Sequence, residues 1–254
     1  MGTKILVCLI AGIGAGFGTG LAGMSAAAVI SPMLITFLGM EPYQAIGIAL
    51  ASDVLASAAS AYEYRKNGNI DVRNGLWMLA SVLVFTLAGS WISSMLPQRT
   101  MGSFSMVMTI IMGVKFLVRP VMAPKESNLK RTKAQAVWLS LFWGMIVGLI
   151  CGFVGAGGGM MMLMVLVMAL GYGLKTAVGT SVFIMTFTAL TGAISHFAIA
   201  GSVADPTSLI LCIVFTLIAA QLTAKFANKA DAKTMNRMLG IGLLVLGLGM
   251  MLMQ

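Results

Sequence analysis

The sequence predicts an all-α integral membrane protein. About ten apolar segments form two inverted five-segment repeats, with broken or re-entrant helices near the midplane. Three observations predict this. Of 254 residues, 59% are hydrophobic and 9% charged, whereas a soluble domain carries about 25% charged residues. The glycines of the first half recur in the second half at a fixed shift. Nearly all the cations fall in loops that would share one side of a membrane.

The first half divides into apolar segments over 3–23, 25–39, 42–63, 74–96 and 101–118. The second divides into 135–155, 157–171, 174–198, 206–227 and 234–253. These assign a first membrane repeat to 1–122, a cytoplasmic connector to 123–134 and a second membrane repeat to 135–254. Crossing a bilayer takes about 20 residues, so the second and seventh segments read as half-helices or steep spans. The longest polar stretch is Arg119 to Lys133, which leaves no aqueous domain. The first segment has no polar region and small-residue cleavage site after it, so no cleaved leader is expected.

At a shift of 132, Gly12, Gly16, Gly20, Gly23, Gly39 and Gly47 coincide with Gly144, Gly148, Gly152, Gly155, Gly171 and Gly179. Chance gives about two such matches, so the repeat is a strong signal. The first three glycines of each set stand four apart and give one small face per helix, which lets a neighbour approach closely.

With five segments per repeat, 14 of the 16 Lys and Arg residues fall on one side and only Lys4 and Arg99 on the other. The positive-inside rule then places both termini outside and the connector in the cytoplasm. An odd number of crossings per repeat, whether or not the first two segments form a re-entrant hairpin, makes the two units inverted. The net charge of +9 is thus a topology and headgroup signal, and no nucleic acid partner is expected.

Gly155, Ala156, Gly157, Gly158 and Gly159 interrupt a hydrophobic run. Each glycine costs about 1 kcal/mol against alanine in a helix, and a broken helix in lipid must line a cavity or be buried in protein. The equivalent break in the first repeat is Gly23, Met24 and Ser25. Helices restart after both, with amide N–H groups and the positive dipole end available to an anion. Inversion would set the two breaks opposite each other near the midplane. These eight residues are candidate substrate-binding groups for a small anion, joined by Thr180 and Ser181, which follow a glycine that recurs. The first-repeat counterparts of those hydroxyls are Ile48 and Ala49, so the site is asymmetric.

Asp53 is the acid deepest in a span, 11 residues into its segment. A charge there costs about 3 kcal/mol unless paired or neutral. It is a candidate for coupling to H+ or Na+, or for a structural hydrogen bond between helices. His196 is a second coupling candidate; it pairs with Tyr64 by the same shift, and both lie near segment ends, where interfacial anchoring is the plainer account. Cys8, Cys151 and Cys212 read as packing residues. The 23 methionines read as lipid-facing or core filler. No nucleophile–base pair, metal cluster or cofactor motif is visible, so no enzyme, metal or cofactor is expected. A homo-oligomer is left open.

The segments Gly152-Phe-Val-Gly-Ala-Gly-Gly-Gly159, Lys175-Thr-Ala-Val-Gly-Thr-Ser181 and Gly192-Ala-Ile-Ser-His196 resemble the TauE/SafE family of sulfite and organosulfonate exporters. The first repeat departs from the pattern, with Gly20-Leu-Ala-Gly-Met-Ser-Ala-Ala27 in place of the glycine run. The resemblance implies a secondary transporter of a small sulfur-containing anion (sulfite, thiosulfate or an organosulfonate) in a prokaryotic plasma membrane, working by alternating access. A carrier of small carboxylates on the same scaffold and an anion channel are the alternatives.

Overall fold

The computed structural model describes residues 2–93, 110, 111, 114, 117–119, 132–154, 158–200 and 205–252. The described secondary structure is helical throughout: α1 (Gly2–Ala22), α2 (Ala27–Leu38), α3 (Pro42–Lys66), α4 (Val72–Ser93), α5 (Lys133–Val154), α6 (Gly158–Met164), α7 (Leu174–Ala200), α8 (Pro206–Lys229) and α9 (Ala232–Leu252). After Met164 the chain widens into a π turn over Val165–Ala169. The segment expected over 101–118 lies mostly outside the described residues.

Among the described residues, four helices are long and apolar enough to cross a membrane: α1, α3, α7 and α8. α2 is not one of them. Its 12 residues reach about 18 Å at 1.5 Å per residue, against roughly 30 Å of hydrocarbon. Gly158 to Ala169 makes a second half-length element in the equivalent place.

The two short elements end alike. Gly39 has φ +62°, donates to the Ile35 carbonyl at 3.1 Å and is followed by a Met40 N–H to Leu34 carbonyl bond at 3.3 Å. Gly171 has φ +71°, and the Tyr172 N–H donates to the Leu166 carbonyl at 2.9 Å. Donor and acceptor of the second bond each stand 132 positions beyond those of the first. A left-handed residue here satisfies carbonyls that a helix end would otherwise orphan, and glycine adopts it without a Cβ clash.

Each half lends its long helices to the other. α1 lies along α8 and α5 along α4. A Cβ on Gly16 would meet the Thr216 carbonyl at 2.5 Å and Ala219 Cβ at 2.6 Å; one on Gly148 would meet the Val82 carbonyl at 2.6 Å. The four-residue glycine faces are therefore helix contacts, backbone against backbone. Both pairs run parallel: Gly12, Gly16 and Gly20 meet residues of rising number on α8, and Gly144 and Gly148 do so on α4. α3 and α7, which stand at equivalent places in the two halves, run antiparallel. Gly179 packs on Tyr64 and Gly192 on Leu50.

Lipid exposure follows the same pattern. Ser208, Cys212, Thr216, Ala220 and Ala224 bury one face of α8, while Ile210, Val214, Ile218 and Leu222 are exposed at the same four-residue spacing on the other. A helix apolar on both faces is at home in a bilayer. Cys8 and Cys212 are buried and unpaired, in keeping with a packing role. Met24, Met78, Met162 and Met235 are buried in the core.

Candidate transport site

α1 ends at Ala22 because Gly23 turns left-handed, with φ +62°. The Gly23 amide donates to Thr19 O at 3.0 Å and the Met24 amide to Gly18 O at 3.2 Å. Both amides thus turn back into α1. Thr19 Oγ1 holds the tip from below, 2.9 Å from the Met24 carbonyl and 3.0 Å from that of Ala15.

α2 then starts on a ready-made anion. Asp53, at the middle of α3 and 1% exposed, accepts from Ser25 Oγ at 2.7 Å and from Ser57 Oγ at 3.0 Å. The Ala26 amide also donates to it. Ser25 Oγ in turn accepts from the Ala27 amide at 3.3 Å. Two hydroxyls, one amide and the positive end of a helix dipole surround this carboxylate. Of the residues described, no cation pairs with it.

The start of α6 meets the first break at its tip. A Cβ on Gly159 would collide with the Gly23 carbonyl, lie 2.5 Å from Met185 Sδ and 2.9 Å from the Ser25 amide nitrogen. Gly159 and Ser25 are therefore in backbone contact. Met185 stands 132 positions beyond Asp53: each half sets its third segment against this meeting point, with an acid on one side and a thioether on the other. Gly158 begins α6. Gly155, Ala156 and Gly157 lie outside the described residues.

The two hydroxyls of α7 part ways. Ser181 faces the first break, where a Cβ on Gly23 would strike its Oγ; that Oγ donates to Val178 O at 2.8 Å. Thr180 faces the α3–α4 loop instead, accepting from the Asp71 amide at 3.1 Å. His196 lies on α7, with its side chain outside the description. Tyr64 is no interfacial anchor: it is fully buried, and its hydroxyl donates to the Gly20 carbonyl at 3.0 Å. That carbonyl belongs to the last turn of α1, where a partner outside the helix is required.

The bundle has two polar ends. At one, Lys4 Nζ donates to Asp205 Oδ2 at 2.6 Å. Burial pushes the Asp205 carboxyl up, but Lys4 and the Ser208 hydroxyl and amide outweigh it, and the net direction is downward. At the other, Tyr172 Oη donates to Asp71 Oδ2 at 2.7 Å, Asn69 Nδ2 to Asn228 Oδ1 at 2.7 Å, and Lys175 Nζ to the Asn228 carbonyl at 2.8 Å. Lys225 stands 3.8 Å from Glu63. All of these bonds join the first half of the chain to the second, except that of Lys175.

Gly159 thus rests on the first helix break inside a bundle whose outer faces suit lipid. The family model described as "Sulfite exporter TauE/SafE" matches residues 8–250. The chain belongs to the TauE/SafE family. Among its curated relatives, this TauE/SafE protein is 26% identical over 224 residues to the probable membrane transporter protein YdhB of Bacillus subtilis, with 88% of this chain and 89% of the relative covered. It is 23% identical to the probable membrane transporter protein YunE of the same organism, covering 96% of each. It is 27% identical to a probable membrane transporter protein of Methanocaldococcus jannaschii, covering 98% of this chain and 94% of that one. It is a multi-pass membrane transporter, and neither its family nor its relatives' names mark it as an enzyme.

Sequence reasoning reached Asp53 and both breaks but passed over Ser57, Ser60 and the inward turn of Tyr64. The signal was there: Asp53, Ser57, Ser60 and Tyr64 recur at helical spacing on one face of α3. They were hidden among the small residues that make α3 look like ordinary packing.

Proposed function

We propose that this TauE/SafE protein is an inverted-repeat secondary transporter. It moves a small sulfur-containing anion, such as sulfite, thiosulfate or an organosulfonate, across a prokaryotic plasma membrane by alternating access. The units are 1–122 and 135–254, joined by a cytoplasmic connector, with both termini outside. The observation that carries this reading is the backbone contact of Gly159 with Gly23 and Ser25. It supports a meeting of two helix interruptions in one buried place, where amide donors can hold an anion without a cation. The antiparallel run of α3 and α7 supports inversion. The clustering of Arg65, Lys66, Arg73, Lys175, Lys225 and Lys229 with the Asn69–Asn228 end supports the orientation.

The substrate is held by backbone amides of the glycine run, Gly155 to Gly159, and of Ser25, near Ser181. Met24 shapes the tip, and Thr180 ties α7 to the α3–α4 loop. Asp53 is the coupling group, with His196 as the second candidate, and the coupled ion is H+ or Na+.

A thermal-shift screen of the purified protein with sulfite, thiosulfate, sulfoacetate, taurine, lactate and acetate tests the substrate, since a ligand stabilises the folded state it binds. Stabilisation by the sulfur anions, saturable flux in proteoliposomes and loss of both in Gly157→Val are expected. Stabilisation by lactate or acetate and none by the sulfur anions would overturn the sulfur reading. Flux that does not saturate and shows no counterflow would make the protein a channel.

A further inference from the structure

We propose that Asp53 is a proton site, reached from the basic end of the bundle through a file of side chains on α3: Glu63, Ser60, Ser57, Asp53. This deepens the reading above by choosing between the two coupling ions and giving the chosen one a route.

The file is a single helical stripe. Asp53, Ser57, Ser60 and Glu63 follow one another at three- or four-residue steps, which place successive Cβ atoms about 5–6 Å apart. All four are buried. The inner link is made, with Ser57 Oγ donating to Asp53 Oδ1 at 3.0 Å. The outer end is anchored, because Glu63 stands beside Lys225, whose side chain is half exposed. Between them sits a second observation, independent of the first. Ser60 is fully buried, and its hydroxyl has no hydrogen-bond partner among the described residues. Buried hydroxyls are ordinarily satisfied; in a helix they most often bond the carbonyl one turn back, as Ser52 does to Ile48 at 2.9 Å. A hydroxyl can give and take a proton at once, so Ser60 has both capacities to offer to its neighbours above and below.

The chemistry around Asp53 favours a proton over a metal cation. Every group on the carboxylate is a donor: the hydroxyls of Ser25 and Ser57 and the Ala26 amide. α1, α2, α7 and α8 all pack on α3. Of these, α2 brings Ser25 and the Ala26 amide to Asp53 and α8 brings Lys225 to Glu63; α1 and α7 bring no charged partner to the file among the described residues. Tyr64 shares the stripe but is committed to the Gly20 carbonyl.

Transfer along the file balances without any other reactant. The free Ser60 hydroxyl must first turn into hydrogen-bond reach of Glu63 and Ser57; a proton taken up by the Glu63 carboxylate then passes to Ser60 Oγ as Ser60 hands its own proton to Ser57. Ser57 hands its proton to Asp53 Oδ1, and Glu63 is again ionised. The hydroxyls end as they began, and Asp53 ends neutral. Neutral Asp53 no longer competes, as an anion, with a substrate one residue away at Ser25. That is how proton and substrate become linked.

Infrared spectroscopy of the purified protein tests this without any substrate. As the pH is lowered, a protonated-carboxyl band absent from Asp53→Asn should appear. On rapid transfer to heavy water at low pH, that band should exchange. Ser60→Ala should slow the exchange about a hundredfold, the usual cost of removing a positioned proton-transfer group. Ser60→Thr should restore it, and Ser52→Ala should leave it as in the parent. A Ser60→Ala protein with parental exchange overturns the route. No Asp53 band down to the lowest pH, together with thermal stabilisation by Na+ that is lost in Asp53→Asn, overturns the proton in favour of a metal cation. No Asp53 band and no Na+ effect leaves Asp53 a structural anion and also overturns it. None of these readouts depends on which anion is carried, so the substrate reading and the proton route can fail separately.

Discussion

Ser25 Oγ donates to Asp53 Oδ2 at 2.7 Å, so the first turn of α2 already holds an anion from its own chain. The bond joins the tip of the α1–α2 hairpin to the middle of α3, and it sits one residue from the place where the second break touches the first. Whatever binds between the breaks must do so beside this carboxylate.

Removing that donor strands a buried acceptor. Ser25→Ala also removes the hydroxyl that receives the Ala27 amide. The expected loss is about 1–3 kcal/mol, the range for a buried group left without its partner. Thermal unfolding in detergent should show a lower midpoint than the parent, with helical content unchanged. An unchanged midpoint would mean that water or another group replaces Ser25.

Two glycines should respond to alanine with opposite signs. In Gly159→Ala the new methyl meets the Gly23 carbonyl and the Ser25 amide, which are backbone and do not yield, as well as the mobile Met185. Overpacking of this kind costs about 1–3 kcal/mol, and shortening Met185 in the same protein should not repair it. In Gly14→Ala the methyl lies 3.5 Å from Val29 Cγ1, an ordinary contact, and a helix gains about 0.5–1 kcal/mol from the exchange. Unfolding midpoints of the two variants check both signs.

Tyr64→Phe keeps the Cβ that packs on Gly179 and deletes the hydroxyl on the Gly20 carbonyl. Full burial leaves no bulk water to replace it. A loss of about 1–2 kcal/mol is expected, together with faster amide exchange in the last turn of α1, read by mass spectrometry. An interfacial tyrosine would show neither.

The Lys4–Asp205 bridge carries a pH signature. The folded-state value for Asp205 is lowered, so its contribution is present above the unfolded value of about 3.9 and is lost as pH falls through the lower folded value. Asp205→Asn keeps a side chain able to cap α8 and removes the charge. Its midpoint should lie below that of the parent at neutral pH by about 0.2–1 kcal/mol, the worth of a partly exposed pair. The two proteins should converge in acid once the pH is below the lowered folded value of Asp205, and Lys4→Gln should behave like Asp205→Asn.

Much of this was legible beforehand, for reasons that can be named. The two half-length elements were legible because 25–39 and 157–171 are too short to cross lipid. Gly12, Gly16 and Gly20 announced a helix contact because glycines four apart have no other common effect on a helix. Asp53 was legible because an acid deep in a span must face inward. Tyr64 was not, because a tyrosine near a segment end is equally at home in the headgroups. Thr180 and Ser181 are neighbours in sequence but point about 100° apart on a helix, so proximity to a break could belong to one and not the other.

Composition and the distribution of Lys and Arg, all local or countable properties of the chain, determined that this is a membrane protein, and the 132-residue shift of its glycines predicted two matched halves and two helix breaks. Which helices exchange between the halves, that Asp53 fills the start of α2, and that Gly159 rests on Gly23 and Ser25 were decided only by the tertiary structure. These are contacts between residues 28 to 204 positions apart, and they depend on helix rotation and depth, which no periodicity within a single segment encodes.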